Sequence, residues 1–183
     1  STANPASFYS LPRSFGIAVA TSIAPGEDAP LIREATRADL LSIYRIETQV
    51  FDQPWPYPAF EGFLDEPNFL VAAANGSIVG YVVGDVTPTY GRDIGHIKDI
   101  AVHPNAQGNG IGRRLLQRAV LGLTVEGVGR IKLEVREGNT RARNLYRSEG
   151  FEPVTCLSGY YDDGEDAIVL AKQPEQTSIF EGS

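Results

Sequence analysis

Three stretches of this chain place reactive side chains or bare backbone where chemistry could use them. The first is Gln107-Gly108-Asn109-Gly110-Ile111-Gly112, which joins a strand-like run through His103-Pro104 to a helical pattern. Glycines at 108, 110 and 112 let backbone N–H groups turn inward at a helix N-terminus, where the helix dipole also favours negative charge. A diphosphate is the natural guest, and a plain tight connection is the alternative reading. The Lys-Ser/Thr pair of a Walker loop is missing, and the third glycine comes too early for GxGxxG. The second stretch, Ile131–Val135, alternates: Ile131, Leu133 and Val135 share one face, Lys132 and Glu134 the other. Under a covered sheet a carboxylate at Glu134 needs partners or a task such as taking a proton. A solvated glutamate paired with Lys132 or Arg136 is the bland alternative. Third, Tyr160-Tyr161 precede the acidic turn Asp162–Asp166. Two adjacent aromatics at a hairpin cannot both point inward, whereas the acidic turn itself reads as solvated.

The elements that must position these residues come in mixed order. Leu31–Glu34 reads as a short strand, and Thr36 with Asp39 caps an amphipathic helix through Leu40, Leu41, Ile43, Tyr44, Ile46 and Glu47. Three prolines in Phe51–Pro58 break it, and a second short helix is expected at about Ala59–Leu64. Asn68–Ala74 and Ile78–Val86 flank Asn75-Gly76, a pair that favours the tight hairpin turn with positive φ. Then follow a strand at Ile94–Val102, a helix after Gly112, a strand at Ile131–Val135 and a helix at Thr140–Glu149. Phe151–Leu157 and Asp166–Ala171 close the pattern. Such interleaving predicts an α/β mixed sheet with helices on both faces.

Composition narrows the function. The 183 residues carry a formal net charge of -7, which opposes nucleic-acid or anionic-membrane binding. The single cysteine, Cys156, excludes an internal disulfide and reads as a small buried apolar residue. Two histidines, His96 and His103, and no HExxH spacing leave no metal set. Residues 1–30, with four prolines and no persistent period, read as an extension, 31–172 as the domain and 173–183 as a polar tail. The apolar run Phe15–Ala24 is too short to span a bilayer and reads as a tail or an extra strand. An intracellular, cytoplasmic protein is expected.

The strand, the QGNGIG turn and a helix opening Arg113-Arg114-Leu115-Leu116 resemble the acetyl-coenzyme A motif, Q/R-x-x-G-x-G/A, of the GNAT superfamily of N-acetyltransferases. Leu31–Ala35 with Asp39-Leu40 is similar to that family's opening strand and helix. Ile46-Glu47 with Phe51 and Pro54-Trp55-Pro56 resembles its RimI branch, the protein N-terminal acetyltransferases. So do Asn139, Asn144-Leu145-Tyr146, Gly150-Phe151 and the Tyr160–Ala167 hairpin. The resemblance covers about residues 31–172.

It implies a mostly antiparallel sheet splayed at the cofactor, and acetyl-coenzyme A as co-substrate without a metal. Gln107, Gly108, Asn109, Gly110, Ile111, Gly112 and Arg113 would hold the pyrophosphate. The edge formed by Ile100, Ala101 and Val102 would hold the pantetheine, helped by Asn139. An α-amino group titrates near about 7.7–8.0, so a modest base suffices for direct attack in a ternary complex. Glu134 is that base by family position, with His96 its rival. Tyr146, about two helical turns beyond Asn139, would protonate the leaving thiolate. Phe51, Trp55, Tyr160 and Tyr161 would wall a groove for protein N-termini, ribosomal proteins among them. Some archaeal and eukaryotic relatives carry a catalytic Glu where this chain has Gln53, so its base must come from elsewhere. A small-amine acetyltransferase and a non-catalytic coenzyme-binding module are the alternatives.

Overall fold

The computed structural model describes residues 29–175. Seven strands form one sheet in the order β1-β2-β3-β4-β5-β7-β6. They are β1 Leu31–Glu34, β2 Asn68–Ala74, β3 Ser77–Thr87, β4 Ile94–Val102, β5 Arg130–Arg136, β6 Glu152–Leu157 and β7 Ala167–Lys172. Four helices accompany them: α1 Leu40–Val50, α2 Tyr57–Glu61, α3 Ile111–Val125 and α4 Thr140–Ser148. The run Phe15–Ala24 and most of the expected extension and tail lie outside the described residues. Among the described residues, no helix is long and apolar enough to cross a membrane.

Strand alternation sends side chains to two cores. Leu70, Val82, Ile97, Ile100, Leu133 and Val135 meet Leu115, Leu116, Ala119 and Leu123 of α3 and Leu145 of α4. On the other face Phe69, Val71, Tyr81, Val83 and Ala101 meet Leu40, Ile43 and Ile46 of α1 and Phe60 of α2. The sheet is covered on both faces, as its apolar strands require. The hairpin turns where expected, with Asn75 at φ 50 and Gly76 at φ 77. One boundary differs: α2 starts at Tyr57, with Pro58 in its first turn. First-turn N–H groups have no helical partner, so proline there starts a helix and does not break one.

Every neighbouring pair is antiparallel except β4–β5, which is parallel only from Ile94–Arg130 to Ile97–Leu133. Beyond that point β5 stays with β7 and β4 stays with β3, so the two strands part. A bulge helps to bend β4 away: Val83 faces Asp99 and Gly84 faces Ile97, leaving Lys98 as the extra residue. The stretch Lys98–Val102 therefore has no β5 partner on its inner edge.

Thr36 and Asp39 set the start of the first helical segment. The Asp39 carboxylate accepts the Thr36 N–H at 2.8 Å and hydroxyl at 3.0 Å, and Arg33 of β1 grips it at 2.7 and 2.9 Å. The Arg33 hydrogen bonds, joined by those of Thr36, hold the Asp39 carboxyl below its usual range against the opposing effect of burial. A carboxyl depressed in the folded state stabilises above its unfolded pKa of about 3.9, and that contribution disappears as pH falls through the folded value. Asp39→Asn is expected to cost about 1–3 kcal/mol near neutral pH. In urea unfolding the gap to wild type should close as pH falls below the carboxylate range. A gap that persists there would assign the loss to packing.

Candidate active site

The mouth between β4 and β5 holds the titratable groups. His96 on β4 lies opposite Lys132 on β5, and parallel register brings Glu134 within reach. His96 Nε2 and Glu134 Oε2 are 2.5 Å apart, and Lys132 Nζ is 3.5 Å from Glu134 Oε1. The Glu134 side chain is 5% exposed and that of Lys132 38%, so the ammonium is the solvated member. Burial pushes the Glu134 carboxyl up, but His96 and then Lys132 outweigh it and hold it below its ordinary value. The two rival bases are thus one unit. Among the described residues, His96 Nδ1 makes no hydrogen bond.

Tyr146, on α4, is wholly buried, and its hydroxyl has no partner among the described residues. Burial, followed by the nearby Asp99 and Tyr161, pushes it well above the usual phenol range, so it stays protonated. A buried hydroxyl without a partner is rare and marks a place for a missing one. Asn139 caps α4, its side-chain oxygen accepting the Ala142 N–H at 3.2 Å.

The glycine turn has the shape its composition implies. Gly108 and Gly110 lie at φ 86 and 72, in the left-handed region, and Gly110 is the N-cap of α3. No acidic side chain stands in the first turn of α3, while Arg113 and Arg114 do. Arg113 pairs with Glu149, and Gln107 Nε2 donates to the Val102 carbonyl at 3.1 Å. Gly108 and Asn109 are exposed, whereas Ile111 and Gly112 are buried against the fold. Ile100 and Val102 pack inward and Ala101 packs on the opposite face, so this edge offers backbone to a ligand. The Ile100 N–H is taken by Asp99 Oδ1 at 2.9 Å. An unpaired strand edge, a glycine turn and a waiting hydroxyl fit a long thioester ending in a diphosphate.

Across the mouth, Gln53, Pro54, Trp55, Pro56, Tyr160 and Tyr161 line a groove of about 290 Å³ with Arg136 and Asp162. Trp55 rests on Phe60 and Phe63 at 5.5 and 5.7 Å. Tyr160 is exposed and Tyr161 buried, meeting edge to face at 5.1 Å. Phe51 is not in this lining; it packs against the α1 core. The acidic turn is not simply solvated. Asp163 and Glu165 each hold Arg136 at 2.8 Å, and Arg136 lies 4.0 Å over the Tyr161 ring. Cys156 is exposed, contrary to expectation, because β6 is an edge strand whose residues are exposed along nearly its whole length.

Sequence reasoning missed a third group. Glu47, Tyr81 and Asp99 are fully buried and bonded to one another: Tyr81 Oη reaches Glu47 Oε2 and lies 3.1 Å from Asp99 Oδ2. The signal was available, since Glu47 lies seven residues from Leu40, on the apolar stripe.

A family model, the acetyltransferase (GNAT) family, matches residues 37–151. The chain belongs to this family. Among curated GNAT relatives, an uncharacterized N-acetyltransferase of Methanocaldococcus jannaschii is 36% identical over 78% of this chain and 91% of its own length. The N-alpha-acetyltransferase RimI of Mycobacterium tuberculosis is 39% identical over 75% and 88%. The crystal structure of the ribosomal-protein-S18-alanine N-acetyltransferase from Escherichia coli superposes with a TM-score of 0.71 at 29% identity, covering 84% of this chain and 99% of that one. The parted sheet with helices on both faces is the GNAT fold. GNAT enzymes use acetyl-coenzyme A, and no group of metal-ligating side chains stands among the described residues.

Gly110→Val tests the glycine turn. A β-branched residue at this φ costs about 1–2 kcal/mol of backbone strain, so thermal stability should fall. Coenzyme A affinity of the folded variant, by calorimetry, should fall by at least about tenfold as backbone approach is lost. Unchanged affinity would take the turn out of the site.

Proposed function

We propose that this N-acetyltransferase acts on the α-amino group of protein N-termini by direct attack on acetyl-coenzyme A in a ternary complex. The observation that carries the reading is the His96–Glu134 pair where the strands part, beside an aromatic groove, with the buried, partnerless hydroxyl of Tyr146 on α4. The relatives' names support the substrate class, and a ribosomal-protein terminus ending in alanine is the first peptide to try.

The proposed chemistry divides among the chain's own groups. The glycine turn and the β4 edge, Ile100–Val102, hold the coenzyme, with Asn139 at the start of α4 beside it. The substrate ammonium gives its proton to the Glu134–His96 pair. The two side chains are hydrogen-bonded, so the proton taken from the substrate is held between carboxylate and ring. The freed amine attacks the thioester carbon and the C–S bond breaks; the Tyr146 hydroxyl supplies the thiolate's proton, and the second proton, which the attacking nitrogen sheds on becoming an amide, restores the phenol. Cys156 carries no acyl group in this scheme: it sits on edge strand β6, outside the residues that line the groove. Trp55 from one side and Tyr160 and Tyr161 from the other give an extended peptide rigid walls at low entropy cost.

Two measurements test this. Glu134→Gln and His96→Ala are each expected to lower kcat by about 10²–10⁴-fold with coenzyme affinity nearly intact. Because they act as a unit, the double variant should be no worse than the poorer single one. Fully additive losses would separate them into independent roles. Tyr161→Ala should raise the peptide KM and leave slow hydrolysis of acetyl-coenzyme A unchanged, in assays on peptides with free or blocked N-termini. Faster acetylation of polyamines or lysine side chains than of any peptide α-amine would make this a small-amine enzyme instead.

A further inference from the structure

The buried trio Glu47, Tyr81 and Asp99 plays no part in the chemistry above, yet it spans the space between its two halves. Glu47 comes from α1, Tyr81 from β3 and Asp99 from β4, and none is exposed to solvent. At one end, Glu47 Oε1 accepts the backbone N–H of Trp55 at 2.8 Å, within the loop that walls the groove. At the other, Asp99 Oδ1 accepts the N–H of Ile100 at 2.9 Å, on the edge assigned to the coenzyme. Tyr81 Oη stands between, bonded to both carboxyls.

Proton counting gives this chain a direction. A phenol has one proton to donate and lone pairs to accept. Tyr81 can give its proton to only one carboxylate, so the other must be a carboxylic acid donating to Tyr81. Burial pushes Asp99 well above the usual carboxylate range, with the neighbouring Glu47 adding to it, and pushes Glu47 up less decisively. Tyr81 Oη also stands closer to Glu47 Oε2 than to Asp99 Oδ2, so the phenol proton goes to Glu47 and Asp99 is the acid. Its Oδ2–H points to Tyr81, whose O–H points to Glu47, whose other oxygen takes the Trp55 amide.

We propose that Glu47, Tyr81 and Asp99 are positioning residues that fix the Trp55 wall of the peptide groove relative to the acyl-carrying edge of β4. The proposal rests on the peptide-groove reading for its kinetic consequence and on hydrogen-bond geometry alone for its structural one. The direction of the chain makes it specific. Asp99→Asn keeps one acceptor for Ile100 and one donor for Tyr81, so it reproduces the protonated acid. Glu47→Gln does not substitute in this way, because Glu47 uses both oxygens as acceptors and glutamine has one. Two neighbouring acids that merely filled space would respond alike.

Trp55 is the chain's single tryptophan, so its fluorescence reads the wall directly. Emission and iodide quenching of full-length protein, peptide kinetics and coenzyme A binding would be measured for Glu47→Gln, Tyr81→Phe and Asp99→Asn. Glu47→Gln and Tyr81→Phe should increase quenching of Trp55 and raise the peptide KM by about tenfold, the worth of one charge-assisted hydrogen bond. Turnover and coenzyme affinity should stay within about twofold, and Asp99→Asn should match wild type throughout. The proposal is overturned if Asp99→Asn is as damaging as Glu47→Gln, or if folded Tyr81→Phe keeps wild-type quenching and KM. Should Glu47→Gln not fold, the contrast between Tyr81→Phe and Asp99→Asn decides. If no peptide is acetylated, the substrate reading fails while the fluorescence pattern still decides the positioning role.

Discussion

The parting of β4 from β5 is the constraint from which the rest follows. A sheet interior normally consumes every backbone N–H and C=O, and unpaired groups there cost several kcal/mol in the limit of full burial, by order of magnitude about 1–3 in proteins. Here pairing stops after Ile97 and Leu133 although both strands continue. The fold tolerates this because β3 and β7 keep the outer edges paired and α3 and α4 seal one face. What remains is a slot edged by the unpaired backbone of β4, open to a long, thin ligand. His96 and Glu134 meet at the mouth because His96 lies in the last paired stretch of β4 and Glu134 one residue past the last pair on parallel β5.

Charge within the slot is arranged by pairing. The chain is acidic overall, and three of its carboxyls, Glu47, Asp99 and Glu134, are buried near one another's elements. Each meets burial differently. Glu134 is held low because a ring and an ammonium face it, whereas Asp99 is pushed up by complete burial and by the neighbouring Glu47, against the Ile100 N–H and the Tyr81 hydroxyl that also face it. A carboxylate held low and a phenol held high on either side of one slot is the separation that acid–base catalysis uses.

Much of this was legible in sequence where a local rule governed it. The Asn75-Gly76 turn fixed the hairpin, and alternation in Ile131–Val135 turned Glu134 away from the apolar core. The prolines before α2 misled because their meaning depends on which turn of a helix they occupy. Cys156 misled because an apolar run looks the same in a central strand and at an edge, and only sheet order distinguishes them. The union of His96 with Glu134 was not legible at all. It depends on parallel register between strands whose pairing residues are far apart in sequence, and neither residue's neighbours announce it. Asp99 was hidden likewise, since one polar residue in β4 reads as facing solvent until α1 is seen to cover that face.

The polar hold on Trp55 runs through its backbone N–H, while its indole rests on Phe60 and Phe63. Glu47 would grip any residue at that position except proline, so the attachment of the wall is independent of what the wall is made of. The hairpin wall differs, because Arg136 stacks on the Tyr161 ring itself and ties that side chain to β5, two residues beyond Glu134. One side of the groove is thus a socket that accepts interchangeable inserts, and the other is a fixed fitting coupled to the reaction centre. Divergence of preference among descendants of this fold has an open route through position 55, where a change of side chain keeps the backbone tether and has only the Phe60 and Phe63 rings to repack.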